Sequence, residues 1–106
     1  METNFIYITT GSVEEARTIA RDLVSSRLAA CANIIDGMNS IYWWDGEVQE
    51  EKEVILLAKT RESLVPRLIH RVKAIHSYEC PCIVSVPIVD GNPAFMEWIE
   101  RETRQE

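Results

Sequence analysis

One stretch, Ile34–Lys59, constrains this chain more than any other, and its centre reads Tyr42-Trp43-Trp44-Asp45-Gly46-Glu47-Val48. Asp-Gly between two β-rich runs is a strong hairpin signal, because a type I′ turn needs φ > 0 at both central residues. A two-residue turn places Trp44 opposite Glu47, Trp43 opposite Val48 and Tyr42 opposite Gln49. The arms run back to Ile34 and forward to Lys59 with no further Gly or Pro beyond Gly37. From Asp36 to Trp44 an extended arm spans roughly 30 Å, whereas a domain of about 100 residues has a radius of gyration near 13 Å. The hairpin is therefore expected to overhang its own domain, with Ile41, Tyr42, Trp43 and Trp44 near the overhanging tip. An isolated two-stranded ribbon is marginal in water, and open edges with exposed aromatics invite pairing. These four residues are accordingly expected to form an interface, and another copy of the same chain is the simplest cover.

The 106 residues suit one compact domain, residues 1–106. The net charge of −6 argues against a nucleic-acid partner, since affinity for a phosphate backbone comes from clustered Lys and Arg. No apolar run approaches the ~20 residues needed to span a bilayer. The opening Met-Glu-Thr-Asn lacks the basic and apolar regions of a secretory signal. The expectation is a cytoplasmic protein without a membrane partner, whose three cysteines are free thiols rather than a disulfide framework.

Taken in order, Phe5–Thr10 is a β-branched and aromatic strand ended by Gly11. Ser12 and Glu15 form a capping box, and Val13, Ala16, Ile19, Ala20, Leu23 and Val24 follow at helical spacing. That helix is expected to run from Val13 to about Arg27. In the hairpin's second arm, the continuous apolar run Val54–Ala58 predicts a strand covered on both faces. Pro66 suits the first turn of a second helix, with Leu64, Val65, Leu68, Ile69, Val72 and Ile75 as its apolar stripe and Arg67, His70, Arg71 and Lys73 outside. Cys82–Val89 reads as a fourth strand, placed at an edge or a bulge by Pro87. Asn92-Pro93 caps a terminal helix with Phe95, Trp98 and Ile99 on one side. The order β-α-β-β-α-β plus a helix predicts an α+β, ferredoxin-like fold with a long β2–β3 hairpin. Both main helices then share one sheet face, and the bare opposite face is a second reason to expect self-association.

Candidate metal ligands are His76, Cys80 and Cys82, in the pattern His-x-x-x-Cys-x-Cys. One imidazole and two thiolates suit monovalent copper or zinc, and two extended cysteines at spacing two point to one face. The structural reading of the same residues is a histidine at a helix C-terminus, acting on its dipole, beside two partly buried thiols. Cys31, among Ala and Ile, reads as a small buried hydrophobe. Glu47, Glu50, Glu51 and Glu53 lack the dense oxygen-ligand loop of a calcium site and read as a solvated edge. No nucleophile–base pair, phosphate loop or catalytic dyad is apparent, so no enzyme is expected.

Four segments together carry a resemblance. Arg27-Leu28-Ala29-Ala30-Cys31-Ala32-Asn33, Ser40-Ile41-Tyr42-Trp43-Trp44-Asp45-Gly46, Leu57-Ala58-Lys59-Thr60 and His76-Ser77-Tyr78-Glu79-Cys80-Pro81 resemble the CutA family of divalent-cation tolerance proteins in order and spacing. The similarity runs from about Phe5 to about Thr103. It implies a ferredoxin-like homotrimer whose long hairpins extend between subunits, a role in the response to metal ions, and binding of copper or similar divalent cations. No obligatory cofactor is implied; a copper or zinc ion is the expected ligand. Copper ligands described for the family include a cysteine at the end of the first strand and two adjacent histidines. Here Ile8 and Ile75 occupy two of those positions, His76 alone matches, and Cys82 stands where the family usually has an acidic residue. Lys59, Tyr78 and Glu79, with Tyr42 and Trp44, are the polar-tipped residues of the matched segments. They are expected either to line a cleft between subunits or to pack the trimer seam. The family's trimer resembles that of the PII signalling proteins, so an effector-binding regulator is the alternative reading.

Overall fold

The computed structural model describes residues 2–103 of the chain. Four strands, β1 (Thr3–Thr10), β2 (Cys31–Trp44), β3 (Glu47–Arg61) and β4 (Ile83–Ile88), alternate with helices α1 (Val13–Ser25), α2 (Val65–Ile75) and α3 (Pro93–Glu102). The sheet is antiparallel in the order β2-β3-β1-β4, which is the ferredoxin-like arrangement that the element order predicts. Pro87 lies in β4, an edge strand, opposite Asn4, where its missing N–H costs no ladder bond on the open side.

The core lies between one sheet face and the first two helices. Ile6 and Ile8 of β1 with Leu56 and Ala58 of β3 meet Ile19, Ala20 and Leu23 of α1 and Leu68 and Val72 of α2. Along Val54–Ala58 burial alternates, with Val54, Leu56 and Ala58 buried and Ile55 and Leu57 only partly so. This corrects the expectation of cover on both faces: within one chain the second face is half bare. At its far end α3 supplies some cover, since the Thr3 hydroxyl reaches Met96 Sδ at 3.5 Å and Arg61 Nε donates to Thr103 Oγ1 at 3.0 Å.

Three local backbone features shape the ribbon and its surroundings. Helix α1 stops at Ser25, short of Arg27, because Arg27 takes φ 63°. Leu28 N–H donates to Leu23 O at 2.9 Å and Arg27 N–H to Val24 O at 3.1 Å, the two bonds of a Schellman cap. The β2–β3 turn has φ 53° at Asp45 and 77° at Gly46, a type I′ turn with the predicted register Trp44–Glu47, Trp43–Val48 and Tyr42–Gln49. The register slips between Ile35 and Met38, so that Asp36 and Gly37 together face Val54. Gly37, at φ 85°, is the αL glycine of this bulge.

Beyond Val54, β3 loses β1 as a partner and continues with β2 alone. The resulting ribbon gives the molecule its long axis of 44 Å against 26 and 21 Å. Because side chains alternate, the bulge decides which aromatics share a face with the bare side of the sheet. Met38, Ser40, Tyr42 and Trp44 fall on that face, and Ile41 and Trp43 fall on the other.

Candidate functional site

The four tip residues are thus divided between two surfaces. Ile41 and Trp43 are 67% and 74% exposed, and their cross-strand neighbour Val48 is 59% exposed. Trp44, at 55%, stands with Tyr42 on the opposite face. On the bare half of the sheet Ile35, Val84 and Val86 are exposed as well.

Where the ribbon leaves the sheet, it forms one wall of a groove of about 870 Å³. Met38, Ser40, Tyr42 and Trp44 of β2 and Gln49, Glu51 and Glu53 of β3 line that wall. Tyr7 and Thr9 of β1 form the floor, and Tyr78, Glu79, Cys80 and Cys82 from the link between α2 and β4 form the other wall. Among the described residues the lining holds three carboxylates and two thiols but no Lys or Arg.

The link is tied down at each step. His76 ends α2, its backbone N–H donating to Val72 O at 2.9 Å. Its side chain is fully buried, with Nε2 2.8 Å from Thr9 O and Nδ1 accepting from Tyr78 N–H at 3.0 Å. That pairing assigns the neutral imidazole with the proton on Nε2. Glu15 reaches across from α1: its Oε2 accepts from Ser77 N–H at 2.7 Å and its Oε1 from Gly11 N–H at 3.3 Å. Burial alone would raise the Glu15 pKa, but the hydrogen bonds from Ser77 and Gly11 hold it below its ordinary value. The Tyr78 hydroxyl donates to Glu53 Oε2 at 2.8 Å, joining the link to the ribbon. Burial and the Glu53 carboxylate push the Tyr78 phenol far above its usual range. Thr9 N–H donates to Cys82 O at 3.4 Å, closing the far end onto β1.

Of the expected metal ligands, Cys80 and Cys82 are free, exposed and on the same groove. His76 is not among the residues lining that groove, and both its ring nitrogens are already engaged. Among the described residues no cluster of three or more His, Cys, Asp or Glu is placed to hold a metal, so one chain alone does not gather the trio into a three-donor site. The expected cleft residues are divided too. Tyr78 and Glu79 line the groove, whereas the Lys59 ammonium donates to Asn33 Oδ1 and lies beside Cys31 in register. Lys59 lies six positions along β3 from Glu53, roughly 20 Å.

Cys31 is half-buried, and burial pushes its thiol pKa up despite the nearby Lys59. Glu51 and Glu53 belong to the groove, although the sequence reads them as a solvated edge. Sequence reasoning did not single out Tyr7 or Met38, whose contact, Tyr7 hydroxyl to Met38 Sδ at 3.3 Å, closes the floor against the ribbon. The alternation of β1 and the Gly37 bulge were the signals that place them there.

The chain matches the model of the CutA1 divalent ion tolerance protein family over residues 4–102. It belongs to that family. The divalent-cation tolerance protein CutA of Thermus thermophilus is 50% identical over 98 residues, covering 92% of this chain and 95% of that protein. Its counterpart in Archaeoglobus fulgidus is 43% identical, covering 92% of this chain and 94% of that one. Against the rice chloroplastic protein CutA 1, at 42% identity, the match covers 94% of this chain but 56% of that protein. Among solved structures, CutA1 from Oryza sativa superposes with a TM-score of 0.96 at 40% identity, covering 100% of this chain and 97% of that one. The Thermus thermophilus structure gives 0.93 at 48% identity, covering 96% and 99%. The CutA fold is therefore shared along nearly the whole length of the chain.

Proposed function

We propose that this CutA-family chain acts in divalent-cation tolerance as a cytoplasmic homotrimer that takes up copper or another divalent cation and turns over no substrate. The observation that carries the assembly is the pair of uncovered apolar surfaces, Ile41, Trp43 and Val48 on the ribbon and Ile35, Val84 and Val86 on the sheet. Full burial of one such side chain contributes roughly 1.5–3 kcal/mol. Sealing the exposed parts of several of them per chain offsets an association cost of about 4–15 kcal/mol. The threefold order rests on the family resemblance. Three free cysteines support a reducing compartment, although relatives of this chain carry chloroplastic and periplasmic names.

The cation part rests on the groove, whose Glu51, Glu53 and Glu79 carboxylates and lack of lining Lys or Arg favour a positive ligand. Since one chain places no three-donor cluster among its described residues, a cation here either uses fewer protein donors or takes some from a neighbouring copy. Calorimetric titration of the assembled protein with Cu(II) and Zn(II) tests this. Saturable heat that is weakened by replacing Glu53 with Gln supports the reading. Flat traces with both ions remove the cation part while leaving the assembly standing.

A further inference from the structure

We propose that Asp90-Gly91, in the link between β4 and α3, is a site of spontaneous backbone modification: the Gly91 nitrogen closes on the Asp90 carboxyl carbon, and the resulting cyclic imide opens to isoaspartate. The link follows the end of β4 remote from the groove, and the chemistry is independent of any bound cation.

Three Asp-Gly pairs occur in the chain, Asp36-Gly37, Asp45-Gly46 and Asp90-Gly91. In each, the glycine carries no side chain to obstruct its nitrogen. At Asp90 the approach is already made, because Gly91 N–H donates to Asp90 Oδ1 at 2.9 Å. That contact brings the carboxyl carbon, one bond from Oδ1, toward the nitrogen; reacting atoms in near-attack arrangements stand about 3–3.5 Å apart. Helix α3 holds the pair there. A Cβ at Gly91 would stand 3.0 Å from Met96 Cε, so the glycine is packed closely against the helix. Asn92, the next residue, accepts from Ala94 N–H through Oδ1 at 3.1 Å and from the Phe95 and Met96 amides through its backbone oxygen at 3.0 Å.

The step needs no reactant besides water. The Gly91 nitrogen bonds to Asp90 Cγ, and the amide proton leaves with the carboxyl hydroxyl as one water. Water then adds back to either carbonyl of the imide. Opening at the side-chain carbonyl returns Asp90. Opening at the main-chain carbonyl frees the α-carboxylate and routes the chain through Cβ and Cγ, so that the link to α3 gains one carbon. Asp90 and Gly91 are exposed and belong to neither of the apolar surfaces assigned to assembly, so water reaches the imide.

The other two pairs are restrained by strand pairing. Gly37 N–H also meets its neighbour's carboxylate, Asp36 Oδ1, at 2.7 Å, but this pair lies between the ladder pairs Ile35–Ile55 and Met38–Glu53. Asp45-Gly46 is closed off by the Trp44–Glu47 pair. A ring or an added carbon at either place displaces paired strands. Asp90 and Gly91 follow Ile88, the last paired residue of β4, where the backbone is free to adjust.

The test stores the whole protein at neutral pH, folded and in urea, and reads isoaspartate site by site by electron-transfer fragmentation mass spectrometry. In the folded wild type, isoaspartate at position 90 should exceed that at positions 36 and 45 by roughly tenfold or more, since geometry governs such intramolecular steps. In urea the three sites should accumulate it comparably. Asp90→Glu, which keeps the charge but cannot close a five-membered ring, should show none at position 90; the comparison of sites within the wild type needs no variant. Equal accumulation at the three sites of the folded chain, or a lead at position 36 or 45, would overturn the proposal. So would a lead at position 90 that persists in urea, which would assign the reactivity to local sequence instead of the fold. Isoaspartate at position 90 in urea alone, or at no site in either state, also overturns it.

Discussion

His76 shows how much a single side chain can mislead at the sequence level. Histidine followed by Cys-x-Cys has the composition of a metal site, yet the imidazole is buried and spends both nitrogens on the fold, one on Thr9 O and one on Tyr78 N–H. It ties the end of α2 to β1 and sets the start of the groove wall. Replacing it with Ala leaves that carbonyl and that amide without their partner. Because a buried polar group left unpaired costs about 1–3 kcal/mol, His76→Ala should lower the unfolding free energy by about 2 kcal/mol or more in urea titration. A variant as stable as wild type would mean that solvent or another group replaces both bonds. No spacing rule connects residue 76 with residue 9, and that contact was not legible before the strands were paired.

At the scale of elements, most boundaries follow from local chemistry. The Asp45-Gly46 turn, the Asn92 cap, whose Oδ1 accepts from Ala94 N–H at 3.1 Å, and the edge position of Pro87 were all readable, because each depends on residues adjacent in sequence. The capping box was readable only in part. Ser12 Oγ accepts from Glu15 N–H at 3.1 Å as expected, but the Glu15 carboxylate serves Gly11 and Ser77 instead of the Ser12 amide. Its second partner lies on a distant segment, which no local rule can supply. Glu15 has a lower pKa in the folded chain than in the unfolded one. It therefore contributes stability that is fully present above the unfolded carboxylate value, about 4.3, and is lost as pH falls through the folded value. Stability measured by urea titration between about pH 5 and pH 2 should fall less steeply in Glu15→Gln than in wild type; parallel slopes would contradict this. The β2 bulge also went unread, although Asp36-Gly37 carries its signature. An added Cβ at Gly37 would meet nothing within 4 Å, so only the positive φ opposes it. Gly37→Ala should cost about 1 kcal/mol, and a larger loss would mean that the bulge itself rearranges.

At the scale of the whole molecule, the sequence disclosed the overlong ribbon and the bare sheet face, because strand length and the helix-to-sheet ratio are countable. It did not disclose which aromatics would share a face, since one extra residue in β2 reverses the alternation. It also could not show that Lys59 would turn to Asn33 while Tyr78 and Glu79 turn to the groove. Within one chain the ribbon beyond Val54 has no cover for Ile41, Trp43 and Val48, and CutA-family membership gives that exposure its context. The central claim is that copies of the chain cover these surfaces. Multi-angle light scattering at low micromolar concentration measures it most directly. The account predicts a single species of about three times the 12.2 kDa chain mass, and a monodisperse 12.2 kDa monomer would contradict it.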